Sequence, residues 1–228
     1  MELFKYTLID LTHTLSAEIA HWNMGCNFEH EMTIDYSDVE GAVKFRAHQI
    51  KMSEGIGTHM DSPAHCFANA LTIPEIPLQK LLASCVVIDV SKNIHERFKL
   101  SCEDIIEYEN NFGQIAPNDF IFIYTGWSRF WTNPEKYRNN LIFPSVSIEA
   151  AEFLLQRNIC GIGIDTLSPD CIDSGFPVHR LLLNSGKYIV ENVANLDKLP
   201  AKGAYSLALP MKIGGGTEAP VRLIAFVL

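Results

Sequence analysis

Apolar positions along the chain fall into short runs rather than long periods. β-branched and apolar stretches recur at residues 6–11, 43–52, 85–90, 120–124, 161–164, 205–209 and 221–227, and runs of that length predict strands. Residues 188–190 add another apolar strand, with Glu191 at its end. Helical spacing appears at 102–110, preceded by Ser101 with Asp104 three residues on, and at 148–158, preceded by Ser147. Each serine can accept a free backbone N–H at a helix start. A third helix is predicted from Pro177, where a missing N–H costs nothing, through Val178, His179, Leu181 and Leu182 to Gly186. Strands of mixed type with few helices imply an α/β chain, a mixed sheet or barrel-like core with helices packed outside. Residues 130–143, with Trp131, Pro134, Tyr137 and the pair Asn139-Asn140, show neither period and predict a surface loop. Its aromatics read as a packed elbow before they read as a pocket lining.

Composition narrows the picture. The 228 residues contain no repeat, low-complexity tract or long linker, which predicts one domain over 1–228. Eighteen Lys and Arg against 27 Asp and Glu leave a net charge of -9 with no basic block. Nucleic acid and anionic membrane are therefore poor partners. The apolar runs at 85–90 and 120–124 fall far short of the roughly 20 residues that span a bilayer. The start, Met1-Glu2-Leu3-Phe4-Lys5, has acid where a secretory signal needs base, and Asp10 interrupts any apolar segment; the expected location is cytoplasmic. The cysteines at 26, 66, 85, 102, 160 and 171 form no CxxC pair and predict reduced, mostly buried thiols, Cys66 among them.

Several catalytic motifs are absent. No G-x-S-x-G elbow, P-loop, HExxH or EF-hand pattern occurs, and Gly161-Ile162-Gly163 is followed by Thr166 where a dinucleotide fingerprint requires glycine. The chemistry-bearing segment is Gly57-Thr58-His59-Met60-Asp61-Ser62-Pro63-Ala64-His65. In extended backbone His59 and Asp61 project on one face, and imidazole with carboxylate suits Zn²⁺ or Mn²⁺. Gly55 and Gly57 permit a sharp turn, and Pro63 stiffens the exit toward His65. Spacing alone leaves a metal loop and an ordinary polar turn equally open.

That segment resembles the H-x-G-T-H-x-D-x-P-x-H signature of the cyclase family of metal-dependent hydrolases. The resemblance extends over nearly the whole chain: to His179-Arg180-Leu181-Leu182, to Ile189-Val190-Glu191-Asn192-Val193-Ala194-Asn195-Leu196, to Gly163-Ile164-Asp165-Thr166 and to Ala219-Pro220-Val221-Arg222. It implies a swivelling β/β/α fold, assembled as a homodimer or homotetramer. It makes His59 and Asp61 metal ligands, with Asp61 able to bridge to a second ion held by His179 and Glu191, and His65 the catalytic proton carrier. Trp22, in Ala20-His21-Trp22-Asn23, matches a substrate-contacting tryptophan, although the Pro-Gly that usually follows is missing. His179 would sit in the first turn of its helix, where the positive helix end keeps its imidazole neutral. Outside the family reading, Glu191 could pair with Arg180 or Lys187.

The implied activity is hydrolysis of an amide or ester bond, in a formamide, lactam or lactone, of a small aromatic or cyclic substrate. The cofactor is a divalent metal, Zn²⁺ or Mn²⁺, one ion per chain or two; such an ion lowers the pKa of bound water to roughly 7. One departure bears on all of this. The first signature histidine falls at position 55, where the chain has Gly55. Three consequences follow as expectations: a single ion at Asp61, His179 and Glu191 joined by His59, which is the preferred one; His48 or Glu54 as a substitute ligand; or a catalytically impaired member that only binds a small molecule or metal.

Overall fold

Residues 85–90 and 120–124 form strands because alternate side chains of each find apolar partners on both faces, the condition of a parallel strand covered on two sides. The structure is a computed structural model and describes residues 5–23 and 28–228, so Cys26 lies outside the described residues. Its strands are β1 (Thr7–Asp10), β2 (Glu29–Ile34), β3 (Ala47–Lys51), β4 (His59–Asp61), β5 (Leu82–Asp89), β6 (Lys99–Leu100), β7 (Phe120–Tyr124), β8 (Ser145–Val146), β9 (Gly161–Ile164), β10 (Tyr188–Glu191), β11 (Lys202–Pro210) and β12 (Glu218–Val227). The helices are α1 (Leu78–Leu81), α2 (Cys102–Phe112), α3 (Pro134–Arg138), α4 (Ile148–Gln156) and α5 (Pro177–Asn184).

The main sheet runs β1-β12-β11-β5-β7-β9-β10-β4, and a further pairing of β12 with β4 closes it into a mixed barrel with β1 on its outside. The strands β5, β7, β9 and β10 are mutually parallel, and α2, α4 and α5 return the chain between them. Outward residues Val86, Ile88, Ile121, Ile123, Ile162, Ile164 and Ile189 meet those helices through Ile105, Leu154, Val178 and Leu182. Inward residues Cys85, Val87, Phe120, Phe122, Tyr188 and Val190 fill the barrel with Met60, Leu223 and Ala225. The glycines of β9 answer to this filling rather than to a nucleotide: a Cβ on Gly163 would approach Phe122 Cδ1 to 2.8 Å.

The expected helices form with their caps. The Ser101 Oγ accepts from Asp104 N–H at 3.2 Å while the Asp104 carboxylate accepts from Ser101 N–H at 2.8 Å, and Ser147 Oγ accepts from Ala150 N–H at 3.1 Å. Residues 130–143 depart from the surface-loop expectation. They hold α3 and a 3-10 turn at Asn139–Leu141, and Tyr137 and Phe143 are fully buried, so the segment is a packed elbow whose short helical turns are too brief to show a period. Cys66, expected to be buried, is exposed, because the 3-10 turn Pro63–His65 carries it to the rim of the site. By contrast β2 and β3 pair only with each other, as a ribbon that exposes Met32 and Ile50.

His13 ties the elbow to the barrel. Its N–H donates to Thr58 Oγ1 at 2.9 Å, its ring stacks on Trp131 at 3.9 Å, and its Nε2 is buried without a partner. Burial lowers its pKa to about 4. Between that value and about 6.5 the unfolded chain binds a proton that the folded chain refuses, so stability falls as pH drops through this window. At pH 5 the loss is expected to reach about 2 kcal/mol relative to neutral pH. Urea denaturation of His13→Phe, which keeps the stack, should show that acid component removed; an unchanged pH slope would contradict it.

Candidate metal centre and active-site cavity

Strand register assembles the site. In β4, His59 and Asp61 are two residues apart and share a face. Glu191 of β10 lies opposite His59 in the antiparallel ladder, and directly opposed residues share a face too. His179 enters from the first turn of α5, whose start is set by Asp170. One Asp170 oxygen accepts from Val178 N–H at 3.3 Å, and the other accepts from His179 N–H at 2.9 Å and from His179 Nδ1–H at 2.9 Å. The carboxylate that caps the helix thereby fixes the ring and leaves Nε2 as the inward lone pair. His59 is fixed in the same way: Nδ1–H donates to Gly57 O at 2.8 Å, and that carbonyl also accepts from Asn192 Nδ2 at 2.8 Å.

The inward atoms face one another. His59 Nε2 lies 3.5 Å from Asp61 Oδ1 and 3.3 Å from Glu191 Oε2, while His179 Nε2 lies 3.5 Å from Asp61 Oδ2 and 3.3 Å from Glu191 Oε1. Each carboxylate thus offers one oxygen to each imidazole. Both oxygens of Asp61 and Oε1 of Glu191 are buried with no hydrogen-bond partner, a costly arrangement unless a cation takes their lone pairs. Bonds of about 2.0–2.1 Å from Zn²⁺ to nitrogen and oxygen place tetrahedral ligand atoms about 3.3–3.4 Å apart, close to the separations around His59. Its ring nitrogen, Asp61 and Glu191 lie near enough together to hold one ion. The donor set suits Zn²⁺ or Mn²⁺.

The electrostatics agree. Burial would push His59 down, but its hydrogen bond to Glu191 and the charges of Asp61, Glu191 and Glu218 lift it to about 10. His179 rises well above its usual value against the same burial penalty, through Asp170, Asp61 and Glu191. Burial, then the charge of Glu191, raises Asp61; Glu191 is held down to about 2 because the two imidazoles outweigh its own burial. The cluster demands positive charge, from protons on the imidazoles or from a divalent cation that displaces them.

His65 ends the 3-10 turn after β4. Its ring centroid lies 6.1 Å from that of His179, and its Nδ1 lies 3.3 Å from Glu218 Oε2. Trp22 lines the same cavity, its ring 5.6 Å from Phe176 and 6.3 Å from Phe143 between centroids, its carbonyl accepting from the Arg138 guanidinium at 3.1 and 3.2 Å. All six expected residues, Trp22, His59, Asp61, His65, His179 and Glu191, line one cavity of about 570 Å³. Neither suggested cation partner engages Glu191; Lys187 Nζ donates to Asn158 instead. Three further polar residues serve the site without a signature position: Asp170, Asn192 and Glu218. Only Asn192 had a local clue, its place beside Glu191 in a matching segment.

Comparison with known proteins gives a consistent picture. A family model described as putative cyclase matches residues 9–171. Isatin hydrolase of Roseibium aggregatum is 32% identical over 192 residues, covering 77% of this chain and 73% of that protein. Kynurenine formamidase of Bacillus thuringiensis subsp. konkukian is 28% identical over 225 residues, 95% of each. The crystal structure of an isatin hydrolase bound to the product analogue thioisatinate superposes with a TM-score of 0.90 at 28% identity, over 98% of this chain and 93% of that one.

Proposed function

We propose, from the premise that this chain belongs to the cyclase family, that it is a metal-dependent hydrolase opening the amide bond of a small aromatic formamide or lactam. The observation that carries this reading is the set of buried, unpartnered oxygens on Asp61 and Glu191 facing two oriented imidazoles. Relatives named for isatin and for a kynurenine formamide support the substrate class. The cavity volume lies in the range of small-molecule sites, and Trp22 with Phe176 provides an aromatic wall for a flat ring.

His59, Asp61, Glu191 and His179 would hold the metal, which supplies Lewis-acid polarisation and makes water acidic enough to ionise near neutral pH. The chain's own residues do the rest. His65 donates Nδ1–H to the Glu218 carboxylate, which leaves Nε2 as the basic nitrogen. The hydrogen bond to Glu218 raises its pKa against the opposing effect of burial, making it a stronger base. Nε2 takes a proton from the attacking water as the new C–O bond forms, then returns it to the departing nitrogen as the C–N bond breaks. Trp22 and Phe176 orient the ring so that its carbonyl faces the carboxylate cluster.

The test is turnover of a panel of isatin-type lactams, N-formylanilines and aryl lactones, before and after chelation. Turnover of at least one amide, abolished by chelator and restored by Zn²⁺ or Mn²⁺, is expected. Metal binding with no turnover across the panel would favour the non-catalytic binder instead.

A further inference from the structure

We propose that Glu218 is a metal ligand that replaces the histidine missing at position 55, joining His59, Asp61, Glu191 and His179 around the cation. The assignment rests on the divalent-metal reading above and adds to it a ligand that no signature position specifies.

Space is the first argument. A Cβ built on Gly55 would fall on Glu218 Oε1, and Glu218 Cδ would be 2.9 Å from it. The Glu218 carboxylate therefore fills the volume where any side chain at 55 would begin. Register is the second. Glu218 opens β12 directly opposite Asp61, as Glu191 lies opposite His59, so four metal-binding side chains from three strands share one face. Distance is the third. Glu218 Oε1 lies 3.8 Å from His59 Nε2, and Oε2 lies 3.3 Å from His65 Nδ1. One oxygen is thus turned to the proposed ion and the other to the proton carrier.

The backbone beneath Glu218 is held in place. Ser62 N–H and Oγ both donate to Thr217 O, at 2.9 and 2.7 Å, and Glu54 Oε2 accepts from Thr217 N–H at 3.1 Å and Glu218 N–H at 3.4 Å. Glu54 is accordingly a positioning residue for this turn, not the substitute ligand. His48 is not the substitute either: it sits on the β2–β3 ribbon with its ring 4.6 Å from that of His30. Exchanging a neutral imidazole for a carboxylate adds an oxygen donor and a negative charge, which moves metal preference toward Mn²⁺.

Chelator-competition titrations of the full chain with Zn²⁺ and Mn²⁺, together with visible spectra of the Co²⁺-loaded protein, test this without reference to activity. Glu218→Gln is expected to weaken binding by about a hundredfold, the upper end of what even outer partners contribute, and to alter the Co²⁺ spectrum. Gly55→Ala should weaken it as well, by displacing the carboxylate, and it provides the result should Glu218→Gln fail to fold. Gly55→His alone should give no gain, whereas Gly55→His combined with Glu218→Gly should recover affinity and shift preference back toward Zn²⁺. Undiminished binding by a folded Glu218→Gln or by Gly55→Ala would overturn the ligand assignment alone. Failure of the unaltered chain to bind any of the three ions would overturn the metal reading, and the assignment with it.

Discussion

Replacing His65 by alanine is expected to lower kcat by about 10²–10⁴-fold, the usual contribution of a positioned acid–base group, while metal content stays unchanged. The separation follows from geometry. His65 reaches the cluster through Glu218 Oε2 and not through Oε1, the oxygen nearest His59, so its removal takes away a proton path and leaves His59, Asp61, Glu191, His179 and Glu218 Oε1 in position. The loss should appear in kcat with little change in KM, since a proton in flight is stabilised in the transition state and not in the bound ground state. The acid limb of the pH–rate profile should flatten as well, because the group whose protonation stops the reaction at low pH is gone. Metal analysis beside steady-state kinetics, on whichever lactam or formamide the chain turns over, checks both halves. Turnover within a few-fold of the unaltered enzyme would remove His65 from the mechanism; a parallel loss of metal would make it a ligand.

How far such a site can be read from a sequence depends on whether its parts are local. The pair His59 and Asp61 is visible because two-residue spacing in extended backbone is a local statement, and β7 and β9 end where their apolar runs end because both faces of each strand are covered. Glu218 gave no such sign. It reaches the cluster only because β12 closes the barrel against β4, a pairing between segments far apart in the chain, and the space it fills exists only because residue 55 lacks a side chain. Asp170 stayed hidden for a related reason: its role is set by where α5 begins after the left-handed Phe176. The ribbon strand β2 was missed because it is polar and solvent-exposed along nearly its whole length, so no alternation marks it. Residues 130–143 misled because Asn139, Asn140 and Leu141 all take left-handed backbone, which interrupts helical spacing while packing buries Tyr137 and Phe143.

Asp165→Ala is expected to cost about 3–5 kcal/mol of folding stability, the loss of three hydrogen bonds to a carboxylate at roughly 1.5–3 kcal/mol each, offset in part by relief of the burial that raises its pKa. The carboxylate is fully buried. Its Oδ1 accepts from Thr125 N–H at 2.8 Å and Thr125 Oγ1 at 2.7 Å, and its Oδ2 accepts from Ser128 N–H at 3.2 Å. Alanine would leave three donors without that acceptor, the two on Thr125 buried and the Ser128 N–H partly so, at the turn that launches Trp127 into the elbow. The Asp165 carbonyl also receives the Tyr137 hydroxyl at 3.0 Å, and the same hydroxyl lies 3.0 Å from Asn192 Oδ1. Asn192 in turn donates to the Gly57 carbonyl that orients His59, so disorder at this turn passes to the metal centre through one tyrosine. For a chain of this length each kcal/mol moves Tm by about 2–4 °C, which makes the expected drop about 6–20 °C. Calorimetry measures that drop, and chelator competition measures the accompanying loss of metal affinity. Should Asp165→Ala melt within a degree or two of the unaltered chain, the carboxylate is no keystone of the elbow, and the path from Tyr137 to His59 loses its support.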